Sequence, residues 1–157
     1  MTIIDRLTFR PCDESDPDDY RPNSTWAVAV DPVDPTGSFV RDSSVFIDVV
    51  APGDRVPLHT HPIDEVTVVA EGAAEVCLGD EIRVVPPGAV MFAPAGTPRG
   101  GGPVDDRPVR FIGFFAADRI GFTALERNPA PGTEGDPPRP PYEMDVRAEV
   151  ESIIATP

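Results

Sequence analysis

Residues 52–72 read PGDRVPLHTHPIDEVTVVAEG, and they hold both of the chain's histidines, His59 and His61, with Glu65 four residues further on. In an extended strand alternate side chains share a face, so His59 and His61 point one way and Thr60 the other. After Pro62, Ile63 and Asp64 a second strand opens, with Glu65, Thr67 and Val69 on one side and Asp64 facing outward. If the two strands lie side by side, Glu65 meets the imidazoles. Two ring nitrogens and a carboxylate then form a three-sided donor set for a divalent metal such as Fe, Mn, Ni, Co or Zn, with positions left for water or substrate. The same spacing also reads as two hydrogen-bonding histidines with no further role, and the pattern alone leaves both readings open.

Working outward, short β-rich runs follow one another, each closed by Gly, Pro or Asp: 26–30, 44–50, 55–61, 65–71, 73–78, 81–85, 89–93 and 109–116. About eight strands with turn signals between them are the signature of a sandwich, jelly roll or barrel. The count of 21 Pro and 13 Gly supports many short strands rather than long helices. Residues 1–24 are polar and acidic and read as an arm, with Ile3, Ile4 and Leu7 available to extend a sheet edge. Residues 25–122 form the strand-rich body. Residues 123–157 start as a Pro-rich, irregular extension that could wrap the barrel or a second subunit. The extension ends in a short helix over 143–154, with Val146, Val150 and Ile153 at helical spacing and Asp145 as N-cap.

The first stretch resembles the first motif of the cupin superfamily: a Gly, five residues, His-x-His, three or four residues, Glu, six residues, Gly. Gly53, His59, His61, Glu65 and Gly72 fall on those positions. PPGAVMFAPAGTPRG (86–100) resembles the second motif at Gly88, Pro94 and Gly96. The resemblance spans roughly residues 40–116. It implies an all-β fold, a cupin-like double-stranded β-helix or jelly-roll barrel, with an N-terminal arm and a short C-terminal helix added. It also implies metal ligands at His59, His61 and Glu65, and a homodimer.

The chain departs from the pattern three positions after Gly96. The family usually carries its last ligand there, a histidine, and this chain has Arg99. A guanidinium about 5 Å from a dication is repelled by several kcal/mol even at an effective dielectric of ~20. Three arrangements relieve this. An anionic substrate bridges metal and Arg99, Arg99 swings out on a flexible GTPRGGG stretch, or Arg99 pairs Glu65 with no metal present. Phe46, Phe92, Phe111 and Phe115 read as barrel core or as the lining of an apolar pocket. Glu75 reads as a surface group, and Arg110 and Arg119 as solvated or paired with the acidic tail.

The formal net charge is −14, which sets aside nucleic acid and anionic membranes as partners. All 13 basic residues are arginines, so lysine imine chemistry is excluded. Two separated cysteines suit a reducing cytosol, and the opening MTIIDRLTFRP has no apolar core for a signal peptide, so a cytoplasmic protein is expected. Three functions follow. The first is a metal-dependent enzyme, with Fe, Zn, Mn or Ni held by His59, His61 and Glu65 and with His59, His61 and Arg99 as catalytic residues. It would act on an anionic or enolisable small molecule as a dioxygenase or a Lewis-acid isomerase or cyclase. The second, from the resemblance, is a metal-free isomerase or cyclase of a natural-product pathway with His as acid/base. The third is a ligand-binding cupin that does no chemistry.

Overall fold

The structure, a computed structural model, describes residues 3–30 and 42–154. Its strands are β1 (Arg10–Pro11), β2 (Thr25–Ala29), β3 (Ser44–Val50), β4 (Val56–Thr60), β5 (Glu65–Glu71) and β6 (Ala74–Leu78). They continue with β7 (Glu81–Val85), β8 (Val90–Ala93), β9 (Arg99–Pro103), β10 (Val109–Phe115), β11 (Arg119–Ala124) and β12 (Tyr142–Asp145). One helix, α1 (Val146–Ile154), follows. Two six-stranded antiparallel sheets result, ordered β1-β2-β3-β10-β5-β8 and β12-β11-β4-β9-β6-β7. This is the expected double-stranded β-helix.

Two buried clusters fill the space between the sheets. Val50, Val69, Ala74, Val76, Val85, Val109 and Phe111 make an aliphatic one. Val28, Val30, Phe115, Ile120 and Val146 make the other, with Trp26, Phe46 and Phe122 packed against it. Alternation along β10 (Val109, Phe111, Gly113 and Phe115 buried) gives it one wholly inward face.

Several expectations need correction. GTPRGGG is no flexible loop: Arg99–Pro103 is β9, an inner strand paired with β4 and β6. A Cβ on Gly100 would sit 2.8 Å from Val56 O, on Gly101 2.6 Å from Glu75 O, and on Gly102 2.9 Å from Asp54 O. Those glycines admit neighbouring backbone, which a propensity reading mistakes for looseness. β11 and β12 were also outside the expected strands. Helix α1 starts at Val146 rather than 143, because Tyr142–Asp145 pairs with β11. Asp145 caps it as expected, its Oδ1 accepting from Ala148 N at 3.1 Å. Val146 is buried and Val150 packs against the second cluster, while the side chain of Ile153 lies outside the described residues. Phe92 lies outside the barrel, 69% exposed. Ile3 and Ile4 are exposed, and the arm instead adds Arg10–Pro11 to the sheet edge.

The arm and the C-terminal extension hold each other. Arg127 donates to Asp18, Arg139 to Asp16, and Asn128 N to Asp18 O. Arg21 ties the arm to the barrel by donating to Asp48 of β3 at 2.8 Å.

The close approach at β9 is testable. Gly101→Ala should cost about 2 kcal/mol through overpacking, roughly 4–8 °C in Tm for a chain of this size. Gly135→Ala, which meets nothing within 4 Å, should leave Tm unchanged. Equal melting of both variants in a thermal scan would contradict the packing described.

Candidate functional site

His59 lies on β4 and His61 just after it, in the sheet that also holds β9. Glu65 begins β5, in the other sheet. The strands of the histidines and the glutamate are therefore not neighbours, as the sequence reading supposed. They face each other across the barrel interior, and the three-residue turn at Pro62–Asp64 is the crossing between sheets. Asp64 faces out, its Oδ1 accepting from Ala95 N at 2.8 Å.

The orientation of the two rings is set by backbone. His59 Nδ1 donates to Pro57 O at 2.8 Å, and His61 Nδ1 donates to Gly121 O at 2.7 Å. A carbonyl can only accept, so each Nδ1 carries the proton and each Nε2 a lone pair. The two Nε2 atoms face each other 3.1 Å apart. Burial pushes His61 down to about 3, reinforced by neighbouring His59, and burial likewise lowers His59. Both rings are therefore neutral near pH 7, and two lone pairs are aimed at one small gap.

Glu65 is held from three sides. Thr67 Oγ1 donates to its Oε1 at 2.9 Å, and Arg99 NH1 donates to Oε2 at 2.8 Å. Gly113 of β10 makes room, since a Cβ there would lie 2.6 Å from Oε1. Arg99 is 6% exposed and makes two more bonds, Nε to Thr97 O and NH2 to Pro94 O. Glu65 Oε2 stands 3.8 Å from His61 Nε2. The structure thus gathers His59, His61, Glu65 and Arg99 at one centre. Glu75 is exposed, Arg110 pairs with Glu71, and Arg119 pairs with Glu143 and Asp145 of the extension.

The fit to a divalent ion is partial. Two cis nitrogen ligands at roughly 2.1 Å from one ion stand about 3.0 Å apart, which the Nε2 pair matches. Backbone acceptors on the other ring nitrogens are the usual support of such ligands. Glu65 Oε2, 3.8 Å from His61 Nε2, already accepts from Arg99, so as a ligand it would share that oxygen with the guanidinium or turn toward the rings. Among the described residues no group of three or more His, Cys, Asp or Glu is arranged to hold a metal ion.

The centre opens into a cavity of about 550 Å³, within the range of small-molecule sites. Phe46, Phe111 and Phe115 border it, as do three residues that sequence reasoning did not select: Phe122, Tyr142 and Asp48. Phe122 lies edge-on to His61 at 4.6 Å, and Tyr142 stacks on Phe122 at 5.1 Å. Only the pairing of β11 with β4 and β12 brings them there, so no local signal marked them.

The sequence profile of the Cupin domain family matches residues 46–115. No curated protein matches the chain. Among solved structures, an RmlC-like cupin from Shewanella frigidimarina superposes with a TM-score of 0.55 at 16% identity, covering 74% of this chain and 88% of that one. A protein with a double-stranded β-helix domain from Klebsiella pneumoniae gives 0.51 at 25% identity, covering 60% and 91%. Bacillus subtilis oxalate decarboxylase gives 0.55 at 21% identity, covering 69% of this chain but 29% of the decarboxylase. This chain therefore spans less than a third of the decarboxylase's length.

The buried neutral rings imply a sign for the pH dependence. Below the ordinary histidine pKa of 6.5 the unfolded chain protonates and the folded one does not, so stability is full above about pH 6.5. It declines as acid is added toward about pH 3. Asp19, raised to about 6 by burial, opposes this between pH 6 and 4, but its side chain is 37% exposed and its share is discounted. Metal-free protein should lose up to about 1.4 kcal/mol per pH unit for each of the two rings over that window. His59→Gln with His61→Gln should flatten the slope in urea unfolding, and an unchanged slope would place the lost stability elsewhere.

Proposed function

Residues 46–115 are a cupin domain and the chain belongs to the cupin superfamily; from that premise we propose a small-molecule enzyme that moves a proton beside a carbonyl, with a divalent ion held by His59, His61 and Glu65. One observation carries the reading: two neutral imidazoles present facing lone pairs 3.1 Å apart, an arrangement that is repulsive unless a cation or proton sits between them. When bound, such an ion supplies Lewis acidity for enolisation, isomerisation or cyclisation, and iron would add dioxygen chemistry. The manganese centres named for Bacillus subtilis oxalate decarboxylase support a divalent ion in a site of this architecture.

The chain's own residues supply the rest. Arg99 directs three of its five N–H groups to Thr97 O, Glu65 and Pro94 O, and two can turn to an oxyanion as it develops. With Glu65 already beside it, Arg99 is better placed to meet charge that appears during reaction than to capture a preformed anion. Thr67 keeps the Glu65 carboxylate facing the centre. Phe115 and Phe122 shield the His61 ring from water.

A second reading has its own observation. Because Arg99 takes Glu65 Oε2, the donor set is short of its carboxylate, and 3.1 Å is also a hydrogen-bonding distance. In that reading the ring pair works without metal, one imidazole taking the substrate proton and sharing it with the other.

Elemental analysis and titration with Zn²⁺ or Mn²⁺ separate the two. The metal reading expects one ion per chain, weakened at least about 100-fold in His59→Ala or His61→Ala, beyond the 10–100-fold typical of outer-shell groups. Arg99→His should tighten binding by roughly tenfold, adding a ligand and removing a repelling charge. Purified protein that takes up no ion while still turning over an enolisable ketone would establish the metal-free reading instead.

A further inference from the structure

Six rings run without a break around the cavity wall. Trp26 of β2 stacks with Phe46 of β3, centroids 6.3 Å apart and planes 13° apart. Phe46 meets Phe115 of β10 edge-on at 5.6 Å, and Phe115 meets His61 edge-on at 5.0 Å. His61 meets Phe122 of β11 at 4.6 Å, and Phe122 stacks on Tyr142 of β12 at 5.1 Å and 10°. The Arg139 guanidinium lies 5.0 Å over the outer ring. One near-parallel stack comes from each sheet, and the reacting imidazoles sit where they join.

His61 and Phe115 at the middle of the arc are buried, but the four rings on either side of them are not sealed into the core. Val50, Val69, Val109 and Ile120 are 0% exposed, whereas Trp26, Phe46 and Phe122 are only partly buried and Tyr142 is 39% exposed. All border the same cavity, so apolar ring surface is left facing open space. Such surface favours a ligand that stacks, by offset or edge-on contact.

Charge narrows the class. Ten carboxylate side chains line the cavity against three guanidiniums. Each guanidinium is already paired, Arg21 with Asp19 and Asp48, Arg99 with Glu65, and Arg139 with Asp16. Asp18, Glu126, Glu143, Asp145 and Glu149 are in turn paired with arginines outside the lining, so the wall keeps a smaller negative balance, and among the described residues an incoming carboxylate or phosphate would meet no unpaired guanidinium on it. We infer that the substrate, on the function proposed above, is a flat, uncharged aromatic molecule laid along this arc with its oxygen substituent at the imidazole pair.

The test uses chelator-treated whole protein and three probes in calorimetric titration at pH 7: 2-naphthol, 2-naphthoate and decahydro-2-naphthol. The first should bind at least tenfold more tightly than either of the others. Phe122→Leu and Tyr142→Leu should each reduce that affinity at least fivefold, and the exposed Tyr142 position guards against a folding defect. Naphthoate or the saturated alcohol binding as tightly as naphthol, or no naphthol binding at millimolar concentration, overturns the inference. The titration is repeated after Zn²⁺ addition, with metal uptake measured separately. A lost ranking with intact metal uptake sinks this inference alone, and a kept ranking without uptake sinks only the metal reading.

Discussion

Each imidazole of this chain gives its Nδ1 proton to a backbone carbonyl, His59 to Pro57 and His61 to Gly121, and these two bonds determine the chemistry at the centre of the barrel. They remove the freedom of each ring to choose its tautomer and point both Nε2 lone pairs into one gap. Burial acts in the same direction by disfavouring the charged ring. The result is a buried electron-rich pair, and every reading of the site asks what positive charge answers it.

Arg99 and Glu65 are the counterpart. The guanidinium enters from β9, a strand so tightly packed that its three following glycines touch neighbouring backbone. Its backbone is therefore closely held, and its guanidinium pairs with Glu65 at 2.8 Å, closer than the 3.8 Å from Glu65 to the His61 ring. Two nearly buried charges cancel, which leaves the interior close to neutral while the rim is acidic. That division suits a substrate that enters uncharged and becomes charged only while reacting, the condition under which binding groups accelerate a reaction rather than merely hold its substrate.

The barrel does not make the cavity alone. The arm contributes Asp19 and Arg21, and the extension contributes Arg139 and Tyr142. They are fastened to one another and to the barrel by the pairs Arg127–Asp18, Arg139–Asp16 and Arg21–Asp48. An acidic arm thus gains a structural role: its carboxylates are hydrogen-bond acceptors for arginines that come from more than a hundred residues away.

The sequence by itself determined the sheet-rich class, the position of most strands, the N-cap at Asp145 and the residues His59, His61, Glu65 and Arg99 as a group worth watching. These are legible because alternation, turn glycines and motif spacing are local properties written at fixed intervals. Only the tertiary structure decided that Glu65 reaches the histidines from the opposite sheet and that RGGG is a packed strand. It also decided that Arg99 already holds Glu65, and that Phe122 and Tyr142 complete an aromatic wall. Those facts depend on which strands become neighbours. A neighbour is set by the closing of the whole barrel, through contacts between residues distant in sequence, and no short stretch of chain carries that information.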